Sequence, residues 1–210
     1  MNRLTSSFGS IVVAALVLFA GAAVADDHVA GKVLRMQAPV IAMQDALPRV
    51  LMVGDPIFIG DVISTGKGAR IEVEMTDDGI LTLGERTVFT VIDYVYSGDQ
   101  SNATLRLLTG SFKAVSGGIA KVAATKFRVE TEVATIGIRG TEFWGGALDG
   151  VFNIALLGGS AIIVENKAGR VEITEVGAGT TISSADVAPT APKKWGAAKV
   201  QRASDTVKFD

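Results

Sequence analysis

Few side chains in this sequence could do covalent or metal chemistry. It has no cysteine and one histidine, His28, so thiol nucleophiles and thiolate metal sites are excluded. A Ser–His–acid triad needs an imidazole held beside a hydroxyl, and a zinc site needs at least two nitrogen or sulfur ligands. One histidine near the start of the chain supplies neither. Carboxylates remain, because glycoside hydrolysis needs only two. Asp77 and Asp78 are adjacent, but a turn accounts for them, since Asp satisfies local backbone donors and tolerates turn geometry. Glu72 and Glu74 fall on the polar side of an alternating run. Asp93, Asp99 and Asn102 flank one loop and offer three oxygens for Ca2+, without EF-hand spacing. Gly117-Gly118 and Gly158-Gly159 read as corners and lack the context of a phosphate loop. The expectation is no catalytic, cofactor or metal site, and no enzyme.

The segment Ile138-Arg139-Gly140-Thr141-Glu142-Phe143-Trp144 is the most informative one. Arg139 interrupts an apolar strand, and Gly140 permits a kink or bulge beside it. Two readings stand. In one, Arg139 pairs with a carboxylate such as Glu142 and locks a corner of the fold. In the other, Arg139 and Trp144 belong to a docking surface, since Arg and Trp are favoured interface anchors. Arg139, Thr141, Glu142 and Trp144 are therefore the candidate binding or corner residues.

The elements that carry these residues read as strands. Apolar residues alternate rather than recur at three and four. The clearest case is Ile71, Val73 and Met75 against Arg70, Glu72 and Glu74, followed by the turn Thr76-Asp77-Asp78-Gly79 with a Gly suited to positive φ, then Leu81 and Leu83. Further short strands are expected at 88–95, 103–108, 111–115, 126–130, 151–156, 160–165 and 170–175. This spacing predicts an all-β fold, an antiparallel sandwich or β-roll built from short hairpins. Leu105–Phe112 and Ile154–Ala161 share an aliphatic strand before a Gly-Ser corner, which suggests a quasi-repeat. The region 186–210 has a Pro- and Ala-containing linker and is expected as a loosely packed tail, with a helix at 195–203.

At the N-terminus, Arg3 precedes an apolar run of about a dozen residues ending in Ala23-Val24-Ala25, too short to cross a bilayer and suited to a cleaved signal peptide over 1–25. Cleavage would leave a net charge of −3, no lipidated Cys and no membrane-spanning segment. The product is expected in the periplasm or secreted. Basic residues are dispersed and aromatics scarce, which excludes nucleic-acid binding.

Four blocks carry a family resemblance. Val53 to Gly66 includes Gly54, Asp55, Gly60, Asp61, Thr65 and Gly66. The hairpin Arg70 to Gly84 has Asp78 and Gly79 at its turn. Leu107 to Phe112 turns at Gly110, and Thr131 with Ala134 to Phe143 contains Gly140. In order and spacing these blocks resemble the FecR-type domain, most closely over residues 50–145. Ile80 and Glu132 depart from its pattern, where a small polar residue and a Pro are common. The resemblance implies a β-domain over 29–185 with a binding role. Familiar members are membrane-spanning sensors with a cytoplasmic arm that controls a sigma factor; no such arm is evident here, so an exported stand-alone form is expected, recognising an envelope protein in signalling or assembly. The alternatives are a glycan- or peptidoglycan-binding module using Tyr94, Tyr96, Trp144 or Trp195 as stacking platforms, and a self-associating surface protein.

Overall fold

The computed structural model describes residues 29–121 and 126–210. The signal-peptide reading of 1–25 and His28 lie outside these residues. The chain runs through β1 (Val29–Gln37), β2 (Val40–Gln44), β3 (Leu47–Val50), β4 (Pro56–Phe58), β5 (Val62–Thr65), β6 (Arg70–Met75), β7 (Ile80–Leu83) and β8 (Val88–Val95). It continues through β9 (Asn102–Thr109), β10 (Ser111–Val115), β11 (Lys126–Glu130), β12 (Thr135–Leu148), β13 (Val151–Asn166), β14 (Gly169–Ile173), β15 (Ala178–Ile182), β16 (Lys193–Lys194) and one helix, α1 (Ala197–Asp205). The architecture is all-β, as the alternation predicts.

Strand β12 organises the sheet. Its first half pairs with β11 and its second half with β10, so the sheet forks there. One limb continues β11-β9-β8-β5-β2-β3, the other β10-β7-β6-β1-β4. The limbs roll over one another and close on an aromatic centre. Phe89 of β8 meets Phe112 of β10 at 5.6 Å between ring centroids, and Phe112 meets Phe143 of β12 edge-on at 5.4 Å. Alternation does this work locally: Ile71, Val73 and Met75 point into the core while Glu74 is exposed. All the strand pairs except β9–β11 are antiparallel among the described residues.

Three expectations change. The quasi-repeat does not hold. Gly110, with φ 93°, is a true corner between β9 and β10, where the chain passes from one limb to the other. Gly158-Gly159 instead lies inside the 16-residue strand β13, where Leu157 bulges opposite Glu142 and Phe143. The two expected strands at 151–156 and 160–165 are thus one. The region after Gly150 pairs with β12 along its whole length and continues the roll rather than forming a separate unit. In the β6–β7 turn, Asp78 takes the positive φ (66°), not Gly79. Gly79 is required for space: a Cβ there would lie 2.9 Å from Asp77 Oδ1 and 3.1 Å from the Gly117 nitrogen.

The last twenty residues are not a loose tail. After β15 the chain returns so that Thr190 N–H donates to Thr181 O and Lys193-Lys194 pair with Gly179 and Ala178. Nine residues make a marginal helix in isolation, but α1 is held against the roll. Trp195, Ala203 and Val207 form a small apolar cluster with Trp144, Leu148 and Ala155, separate from the main core. This strap ends over β1, where the Gln37 side chain donates to Asp210 Oδ2 (2.7 Å) and accepts from Asp210 N–H (3.0 Å).

Candidate functional site

The motif residues of the first block build a bracket around β3. Asp61 is fully buried, and its carboxylate accepts both arms of the Arg49 guanidinium, at 2.6 and 2.8 Å, and the Phe58 N–H at 2.7 Å. Arg49 also donates to Pro56 O (2.9 Å) and lies over the Phe58 ring. Burial pushes the Asp61 carboxyl above its ordinary value, against the Phe58 N–H and Arg49, which pull it down. Asp55 caps the neighbouring turn by accepting the Met52 N–H at 2.8 Å, and Gly54 and Gly60 supply positive φ there. Thr65 Oγ1 donates to Gly84 O (2.6 Å) and accepts the Thr87 N–H (2.8 Å), tying β5 to the β7–β8 turn, while Gly66 O accepts the Ala69 and Arg86 N–H groups.

That bracket presents an apolar strip. Leu47, Val50, Met52 and Val53 are 63–74% exposed, and Ile41 and Met43 on β2 are also exposed. Ile41 faces Val50 across the strands and Met43 faces Pro48, so these four share the outer face. From Leu47 to Gly54 the one charged residue is Arg49, which folds inward to Asp61. The strip is therefore free of charge, a property associated with docking surfaces. Sequence reasoning missed it. The signal available was the run Leu-Pro-Arg-Val-Leu-Met-Val, five aliphatic residues in seven beside a turn.

The outer edge of β3 does not suit strand addition, contrary to the binding mode that open sheet edges suggest. Leu51 N–H donates to Val40 O, so by alternation Arg49 also turns its N–H toward β2, while position 48 turns outward. Pro48 there has no N–H to offer, which blunts the edge.

The second candidate segment is divided by the fold. Arg139 is exposed and does not pair with Glu142; Glu142 meets Lys113 instead, at 3.3 Å. Gly140 does kink the strand, with φ 53°. Thr141 is buried and exchanges backbone contacts with Ser116: Thr141 N–H donates to Ser116 Oγ (2.8 Å) and Ser116 N–H to Thr141 O (2.9 Å). Trp144 is wholly buried, so it is not a docking anchor. Its ring packs edge-on against Trp195 at 6.1 Å, and its Nε1–H donates to Thr206 Oγ1 (2.9 Å). The strap covers it, through residues sixty positions away that no local pattern reveals.

The stacking-platform reading is corrected in the same way. Tyr94, Trp144 and Trp195 are buried, and of the four aromatics only Tyr96 is exposed. Tyr94 donates to Asp77 Oδ1 at 2.6 Å, and burial beside that carboxylate pushes its phenol above the ordinary value. Asp77 also accepts the Gly79 and Ile119 N–H groups, at 3.0 and 2.9 Å. It is a structural hub, more than the turn residue its sequence position suggested. Among the described residues no cluster of His, Asp or Glu could hold a metal ion; the Asp99 side chain lies outside the described ones.

Comparison with known proteins agrees with this picture. Residues 61–162 match the family model described as FecR protein. Two crystal structures of a candidate anti-sigma factor from Parabacteroides distasonis ATCC 8503, at 1.65 and 2.50 Å resolution, share the fold with TM-scores of 0.53 and 0.54 at 17% and 16% identity. Both alignments cover 67% of this chain and 62% of those chains, so this chain spans less than two thirds of their length. No curated protein matches the sequence significantly. The bracket residue Asp61 opens the matched region and β13, which pairs with β12 along its length, closes it, so the stretch from 61 to 162 is what is similar to the FecR family.

Proposed function

We propose that this chain is an exported interaction module that binds a protein partner in the cell envelope and acts in signalling or assembly. The carrying observation is the charge-free apolar strip of β2, β3 and the turn after it, held rigid by Asp61 and Arg49. Several large aliphatic side chains left in water on a braced hairpin cost solvation that a partner's apolar surface recovers, at about 25 cal/mol per Å2 buried. The FecR-type domain supports a regulatory role, and the apolar N-terminal run supports export. A partner would present an apolar patch of its own, without requiring an exposed strand edge.

The test is affinity capture of the protein from its own envelope fraction, with Val50→Lys and Met52→Lys variants alongside. Both positions are exposed, so melting temperatures should stay within the small range of surface substitutions. Recovery of one specific protein by the parent chain, lost in both variants, is the expected result. Recovery of the same protein by parent and variants alike would move the interface elsewhere, and capture of cell-wall glycan alone would replace this reading.

A further inference from the structure

Arg70 is a half-buried cation with one distant ion-pair partner. Its side chain is 13% exposed, and the closest carboxylate, Glu85, stands 4.0 Å away and is itself 42% exposed. Of the guanidinium's five N–H donors, one reaches the Ala69 carbonyl at 2.9 Å, while Nε is enclosed with no acceptor. Glu85 is occupied elsewhere, accepting the Gly68 N–H at 2.6 Å. Taking a guanidinium out of water without hydrogen-bonded compensation is unfavourable, so a further acceptor for its fork would be stabilising.

Beside Arg70 lies a cavity of about 400 Å3 between the roll and the strap. Arg70 enters it from β6, Arg86 from the β7–β8 turn and Arg202 from α1, with Ser111 on the wall. Arg86 makes no ion pair among the described residues and is held at φ 51°, a left-handed conformation unfavourable for a side chain of its size. Glu85 and Asp205 offset part of this charge, and Asp149 pairs with Arg202. The cavity lining carries three arginines against the two carboxylates of Glu85 and Asp205, and Glu85 is held below its ordinary value first by the Gly68 N–H and then by Arg70, Arg86 and Lys67.

We propose that the cavity bounded by Arg70, Arg86 and Arg202 binds a tetrahedral oxyanion, phosphate or sulfate, either free or as the terminal group of a small molecule. Three arginines lining one cavity from three elements suit a tetrahedral group better than a planar carboxylate, and arginine–phosphate contacts are strong because they are charge-assisted and bidentate. Because Arg202 belongs to the strap, the bound anion would also clamp the strap to the roll.

The test is calorimetric titration of the full chain with inorganic phosphate, sulfate and acetate at ionic strength matched with chloride, together with thermal melting. Phosphate and sulfate should bind saturably and raise the melting temperature by roughly 5–10 °C at a hundredfold excess over Kd. These anions also stabilise proteins non-specifically, so two variants set the baseline. Arg86→Gly, which fits the left-handed backbone, should fold normally and bind about tenfold more weakly. Arg70→Met should lose the saturable binding while melting no lower than the parent in chloride. A phosphomonoester that binds more tightly than inorganic phosphate would identify a phosphorylated molecule as the source, and equal affinity the free ion. No saturable heat, an equal phosphate shift in parent and Arg70→Met, or tighter binding of acetate would overturn the proposal.

Discussion

At the scale of single residues, the recurrent theme is a buried carboxylate organising main-chain donors. Asp61 and Asp77 each hold two or more partners and each stand where the sequence shows an ordinary turn. Their identity was readable, but their burial was not, because it depends on Arg49, Tyr94 and Ile119 arriving from elsewhere in the chain. The tip of the β2–β3 hairpin shows the opposite case, a cost left in place. Asp45 and Ala46 occupy the two-residue loop with φ 50° and 62°, the geometry usually given to Asn-Gly or Asp-Gly. Ala46 carries the left-handed penalty of a Cβ, roughly 1–2 kcal/mol. Ala46→Gly should stabilise the protein by about 1 kcal/mol, net of the extra freedom Gly gains when unfolded. A denaturant midpoint that fails to rise would show that this loop is relaxed by some other means.

Among the elements, β6 and β7 were legible because burial alternates cleanly along them. Strands β1 to β5 were not, for a physical reason. On β2 and β3 the outward residues Ile41, Met43 and Val50 are themselves apolar, which erases the alternation that marks a strand, and Ala46 removes the Gly that marks the turn. The strip that hid the strands is also the proposed interface. The strap was legible only as a helix near 195–203, with α1 observed at Ala197–Asp205; its docking was not. Part of that docking is ionic. Arg202 holds the Asp149 carboxyl below its ordinary value of 3.8. A carboxyl lowered by folding contributes fully above its unfolded value and loses that contribution as pH falls through the lower, folded one. The protection factors of the α1 amides, taken relative to intrinsic exchange at each pH, should therefore fall in acid below about pH 4, ahead of those of the β8 and β12 amides. Arg202→Gln should show the lowered α1 protection already at neutral pH. Protection factors for α1 that fall in acid only together with those of β12 would mean that the strap is held by apolar packing alone.

For the molecule as a whole, the fork at β12 fixes the order of events. Neither limb can close until β12 has met β11 along its first half and β10 along its second, on the edge opposite β13, and the parallel β9–β11 pair adds a non-local closure. Such topologies fold slowly, on the millisecond-to-second scale. The strap, with its own small apolar cluster, can dock only after that surface exists. Trp195→Ala should cost about 3 kcal/mol or more, as for other buried aromatic truncations. It should appear as faster unfolding with little change in the refolding rate followed by circular dichroism. A refolding rate that falls in proportion to the lost stability would place the strap in the folding nucleus.

The pairing of Trp144 with Trp195 has a practical consequence. These are the only two tryptophans in the chain, and both sit in the strap cluster rather than between the limbs. Intrinsic fluorescence of this protein is therefore a local gauge of strap docking. A spectral shift on adding an anion or a partner would report the strap moving while the β-roll beneath it stays intact.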